Sequence, residues 1–195
     1  MSINSLDHDF ITIVSGLPRS GTSMMMKMLI AGGLEPLTDN IRTADEDNPE
    51  GYFEFERVKQ LKDDRAWLQD ARGKCVKIVS AFLKHLPQEF SYKIIFMRRN
   101  IQEVLASQQQ KLVRRGEPVD SISDEKMRQS FERHLKDLEA WLTAQPNIAL
   151  LDVNYSEAIA NPVPHIQKVK DFLQLELDAE RMAGVVNKDL YRNRV

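Results

Sequence analysis

Near the N-terminus, Gly16-Leu17-Pro18-Arg19-Ser20-Gly21-Thr22-Ser23 has the residue types of an anion site. Gly16, Pro18 and Gly21 force the backbone to turn tightly. Ahead of them, Ile11-Thr12-Ile13-Val14 has the β-branched composition of a buried strand. Behind them, residues 24–29 are apolar and good helix formers. Strand, glycine loop and helix aim backbone N–H groups and the positive end of a helix dipole at one point. Arg19 adds a cation there, and Ser20, Thr22 and Ser23 add hydroxyl donors. The expected ligand is a phosphate-like group. The plainer alternative, that the glycines only turn the chain, leaves the coincidence of strand, loop, basic residue and helix unexplained.

The loop has the spacing of a nucleotide P-loop with one departure: Thr22 stands where a lysine is expected. A P-loop NTPase places that lysine on the β- and γ-phosphates and uses an acidic residue to hold magnesium. Asp152 is the one strand-end carboxylate on offer. An ATP-dependent phosphotransferase therefore lacks two of its parts. A second constellation lies downstream. Arg98-Arg99-Asn100 ends the apolar run Lys93-Ile94-Ile95-Phe96-Met97, and Ser107 follows eight residues after Arg99 in a helical segment. Ligands of α/β sheets sit beyond the strand carboxyl ends, so the two constellations can face one ligand.

The elements that must position these residues read as alternating strands and helices. Strands are predicted at residues 10–14, 74–79, 92–97 and 148–153. Helices are predicted at 22–32, 54–68, 101–112, 124–143 and 161–173, with a helical turn at 81–85. Ser123 or Asp124 is the expected cap of the long helix, whose stripe is Met127, Phe131, Leu135, Leu138 and Leu142. A polar loop is expected over 35–52, ending in a turn at 48–52, with a break at 114–118 and a polar tail. The fold class is α/β, a central, mainly parallel sheet flanked by helices.

A chain of 195 residues, 42% hydrophobic and 29% charged, suits one globular domain over residues 1–195. A net charge of −2 argues against broad nucleic-acid binding. The lone Cys75 excludes an internal disulfide framework and fits a reducing compartment. Residues 1–10 lack the order of a signal peptide, and no apolar run approaches the roughly 20 residues of a membrane span. The expected setting is cytoplasmic.

Pro18-Arg19-Ser20-Gly21-Thr22-Ser23 resembles the 5′-phosphosulfate loop of sulfotransferases that use PAPS (3′-phosphoadenosine 5′-phosphosulfate). Arg99 through Ser107, with Asn100 after the arginine, is similar to that family's second motif. Looser likenesses are Asp152 to Glu157 followed by Asn161-Pro162, the end of the last helix at Phe172-Leu173-Gln174-Leu175, and the turn Asn48-Pro49-Glu50-Gly51-Tyr52. The resemblance spans about residues 10–178. It implies a P-loop-containing nucleotide hydrolase-like fold and a transferase that moves a sulfuryl group from PAPS to a hydroxyl or amine, with no metal required.

Roles follow from the resemblance. Backbone N–H groups of Ser20, Gly21, Thr22 and Ser23 would cradle the 5′-phosphate. Arg19 takes the family's cationic position beside the bridging oxygen, where its permanent charge rules out proton donation. Arg99 and Ser107 would bind the 3′-phosphate, and Tyr155 would contact the adenine. A strand-end histidine of many members is absent: the sequence here is Lys77-Ile78-Val79. Lys77 would hold the sulfuryl oxygens, and Glu54 is the preferred base; a strand-end lysine facing water and a surface glutamate are the bland alternatives. His85 lies too far along, and His134 is assigned to a solvated helix face. The family's terminal Arg-Lys-Gly run is also missing, with Arg192 and Arg194 the available substitutes. The partner is a small-molecule acceptor of unread identity, covered by residues 37–51 and 111–123, and a homo-oligomer is left open. Two other readings stand beside this one: a non-catalytic phosphoadenosine-nucleotide-binding module, and an ATP-dependent phosphotransferase.

Overall fold

The β-branched run near the N-terminus becomes a central strand because it is covered on both faces: Ile11, Ile13, Val14 and Ser15 are all fully buried. The computed structural model describes residues 9–39, 41, 51–114, 116 and 123–187. In it, β1 (Phe10–Gly16) pairs in parallel with β2 (Cys75–Lys77) on one side and β3 (Ser91–Arg98) on the other. β4 (Ile148–Asn154) extends the sheet beside β3, so the order is β2-β1-β3-β4 and every pairing is parallel. The register sets Gly16 beside Met97, and Met97 beside Val153. Three strands therefore finish at nearly the same level, and the loops that follow them meet there.

Alternation along the strands divides the core. Val14, Ile95 and Met97 face α1 (Thr22–Ala31), α4 (Tyr155–Ala160), α5 (Pro162–Leu173) and α6 (Ala179–Gly184). Ile11, Ile13, Ile94 and Phe96 face Trp67, Leu68 and Leu83, together with Leu138 and Leu142 of a long helix that follows α2 (Ile101–Arg114). That helix, α3 (Asp124–Thr143), starts where expected, with the Ser123 side chain accepting from the Lys126 N–H. Only Leu138 and Leu142 of its stripe are fully buried.

Three expectations are corrected. No α-helix covers 54–68; two 3₁₀ helices, Glu56–Gln60 and Ala66–Ala71, stand there instead. Asp64 interrupts the run: its carboxylate accepts from Arg57 at 2.7 Å and from the Ala66 N–H, and its carbonyl accepts from the Trp67 indole. Such side-chain bonds to nearby backbone offer the chain an alternative to a helix. Tyr155 opens α4, because Asn154 caps the N–H groups of Ser156 and Glu157. The expected polar tail contains α6, capped by Asp178. His134 is half-buried, its Nε2 at 2.9 Å from the Ser80 hydroxyl at the start of the 3₁₀ helix Ser80–His85. Asn48, Pro49 and Glu50 of the expected turn, most of the 114–118 break, and Arg192 and Arg194 lie outside the described residues. Among the described residues, no helix is long and apolar enough to cross a membrane.

Burial lowers the affinity of His134 for its proton, and Lys84 adds to this against the pull of Asp137. His165 is lowered by burial and Lys168 against the pull of Glu157. Below the ordinary histidine pKa of about 6.5, the unfolded chain thus binds more protons than the folded one. Stability is full above that value and falls with pH. The melting temperature should drop between about pH 7.5 and pH 5.5, and His134→Gln should flatten the drop. Melting curves across that range check this; an equally steep fall in the variant would refute the assignment to His134.

Candidate active site

The loop after β1 is shaped by three left-handed or glycine-only backbone positions. Gly16 has φ 151°, Arg19 φ 70° and Gly21 φ 96°. The left-handed conformation costs a non-glycine residue about 1–2 kcal/mol, so Arg19 is held there by its surroundings. Gly21 has a second reason to be glycine: a Cβ would lie 2.2 Å from Cδ2 of the Tyr155 ring. At Gly16 a Cβ would lie 2.7 Å from the Met97 carbonyl of the neighbouring strand. No side chain caps the N-terminus of α1 and no acid lies in its first turn, an arrangement suited to an incoming anion. The Ser20 hydroxyl is buried, the residue 1% exposed, and has no hydrogen-bond partner among the described residues. A buried orphan hydroxyl in such a loop fits a ligand oxygen that completes it.

The second constellation closes onto the first. Arg99 Nη1 donates to the carbonyl of Arg19 at 2.9 Å. Arg19 Nε in turn donates to the Ser107 hydroxyl at 2.9 Å. The Arg99 guanidinium lies 4.6 Å from the centre of the Tyr155 ring, close enough for a cation–π contact. Burial pushes the Tyr155 phenol up, Arg99 and Arg19 pull it down, and Glu103 pushes it up again, which puts all four groups in one electrostatic neighbourhood. Arg19, Arg99, Ser107 and Tyr155 are thus brought together.

Glu103 completes this cluster and is absent from the sequence reading. Its Oε2 accepts from Arg99 Nε at 2.9 Å, and both side chains are 6% exposed. The signal was slight: Glu103 lies in the first turn of the predicted helix, four residues after Arg99 at the strand end.

Lys77 and Glu54 form a pair of their own. Lys77 Nζ donates to the Tyr52 carbonyl, lies 3.4 Å from Glu54 Oε1 and sits 5.7 Å from the centre of the Tyr52 ring. The Lys77 side chain is 5% exposed, so it does not face water; the Glu54 side chain is 25% exposed. The sheet register places Lys77 beside Val14, two residues before Gly16. Asp152, the one candidate magnesium carboxylate, sits on the outer strand β4 and is ion-paired to Arg98 at 2.7 Å. His85 lies at the far end of the 3₁₀ helix that follows Val79.

The chain matches the sulfotransferase domain over residues 9–193 and belongs to that family, whose reaction is sulfuryl transfer. Its fold is similar to the sulfotransferase domain of the Synechococcus PCC 7002 olefin synthase, with a TM-score of 0.56 at 18% identity over 98% of this chain and 83% of that one. It is also similar to the sulfotransferase domain of the curacin biosynthetic pathway, with a TM-score of 0.51 at 14% identity over 93% of this chain and 79% of that one. No curated protein sequence matches it.

The Gly21–Tyr155 contact yields a stability prediction. Gly21→Ala should cost about 1–3 kcal/mol, from backbone strain and from the clash with the ring. Tyr155→Ala in the same chain should recover the clash part, so the two losses should not add. Thermal melts of both single variants and the double variant measure this; additive losses would refute the contact.

Proposed function

We propose that this sulfotransferase takes its sulfuryl group from PAPS and passes it to a hydroxyl or amine of a small-molecule acceptor. The observation that supports this best is the link from Arg99 to the Arg19 carbonyl, which joins a second basic site to the phosphate loop. A donor with phosphates at both the 5′ and 3′ positions has a partner for each. The Ser20 hydroxyl and the uncapped start of α1 fit the 5′-phosphate, and Arg99 with Ser107 fits the 3′-phosphate.

In the reaction the bond from sulfur to the bridging oxygen breaks, and a bond from sulfur to the acceptor oxygen or nitrogen forms. Negative charge grows on the 5′-phosphate as it leaves. Backbone N–H groups of residues 20–23 and the Arg19 guanidinium stabilise it. Arg19 supplies charge and direction but no proton. Its hydrogen bond to Ser107 holds the guanidinium between the two phosphate positions. The acceptor proton goes to the Glu54 carboxylate. Lys77 sits on that carboxylate and orients it, and its ammonium also suits the sulfuryl oxygens. Tyr155 flanks the adenine. The buried lone thiol of Cys75 suits a reducing, cytoplasmic setting.

Adenosine 3′,5′-bisphosphate (PAP), the product nucleotide, should raise the melting temperature without magnesium, and ATP should not. At 100 times its Kd a ligand adds about 2.7 kcal/mol, enough to read in a melt. Glu54→Gln should lower sulfate transfer to an acceptor panel by about 100-fold or more while leaving the PAP shift intact. A shift with Mg–ATP and none with PAP would refute the donor assignment. Intact PAP binding with no transfer by the unaltered protein would favour a nucleotide-binding module.

A further inference from the structure

We propose that Glu103 is a positioning residue that sets Arg99 for the 3′-phosphate. This rests on the nucleotide reading above and goes one step further into the same site. A carboxylate beside an anion site is electrostatically unfavourable, since it repels the phosphate that the arginine is meant to attract. Glu103 is nevertheless almost fully buried there, on the first turn of α2, with Arg99 Nε on its Oε2 at 2.9 Å. An acid that served only the α2 dipole would do so equally well from the surface. Burial beside Arg99 calls for a reason that runs through Arg99.

That reason is orientation. An arginine side chain loses much rotamer freedom when it is fixed, and its planar fork recognises a phosphate only when aimed. Glu103 grips Nε, the Arg19 carbonyl grips Nη1, and the guanidinium carbon sits over the Tyr155 ring. Two hydrogen bonds and a face contact fix both the plane and the direction of the guanidinium. The Arg19 carbonyl belongs to the left-handed residue of the phosphate loop, so Glu103 also reaches that loop through Arg99. Glu103 does not itself contact the nucleotide.

The sign of the effect separates positioning from plain electrostatics. Removing the charge of a carboxylate that merely repels phosphate tightens binding; removing one that aims Arg99 weakens it. Kd values for PAP and for AMP, which lacks the 3′-phosphate, are measured by calorimetry on the full chain. Glu103→Gln should weaken PAP about tenfold and AMP by less than about twofold. Glu103→Asp, which keeps the charge on a shorter stem, should recover part of the loss. In an Arg99→Ala background, Glu103→Gln should add nothing. Tighter or unchanged PAP binding in Glu103→Gln overturns the proposal, as does an equal loss for AMP, which signals general damage to the site. If Arg99→Ala leaves the preference for PAP over AMP unchanged, the two-phosphate reading falls and takes the proposal with it.

Discussion

One hydrogen bond, from Arg99 Nη1 to the carbonyl of Arg19, ties together residues 80 apart in the chain. It exists because β1 and β3 are neighbours in parallel register, with Gly16 beside Met97. Arg99 leaves its strand just where the loop after β1 begins to turn. A nearly buried guanidinium needs a counter-charge, and Glu103 supplies it. Its guanidinium carbon lies over the Tyr155 ring, and that ring in turn leaves no room for a Cβ at residue 21. The glycine of the loop, the tyrosine at the start of α4 and the acid on α2 thus share one cause.

Sheet order then sets what lies on each side of the loop. β2 flanks β1 on one side and carries Lys77, with Glu54 against it. β3 and β4 flank it on the other and carry Arg99 and the approach to Tyr155. On the proposed reading, the proton-accepting side and the nucleotide side are separate edges of one sheet, and Arg19 stands between them. Group transfer by positioning and charge requires this arrangement, because the acceptor and the leaving group must lie on opposite sides of the sulfur.

Much of the fold was legible because β1 and β3 are short apolar runs covered on both faces, and α3 has an apolar stripe and a serine cap. Ser123 was readable as a cap from residue types alone, whereas the Arg99–Ser107 pair was singled out by its resemblance to a family motif. The 54–68 segment misled because its apolar spacing is helical while Asp64 binds the backbone beside it. Its apolar residues do reach the core, so the burial was readable and the conformation was not. Tyr155 and His134 took their places from partners distant in sequence, Arg99 and Ser80. Lys77 was ambiguous for the same reason: a lysine at a strand end faces water unless another segment covers it, and here residues 52–54 do.

Several unfavourable terms meet at the end of β1. Arg19 takes a left-handed backbone, the N-cap glycine of α1 offers no side-chain cap, and the Glu103 carboxylate is buried against Arg99. The buried hydroxyls of Ser15 and Ser20, one at the end of β1 and one in the loop, have no hydrogen-bond partner among the described residues. Each feature costs on the order of 1–3 kcal/mol, and each is tolerated because two apolar layers hold the sheet from both faces. A loop selected only to turn the chain would shed these costs by substitution. Their meeting at the end of β1 suits a site prepared for an anion. A bound phosphate would satisfy the Ser20 hydroxyl at the start of α1, so the same features that weaken the empty loop strengthen its hold on a ligand.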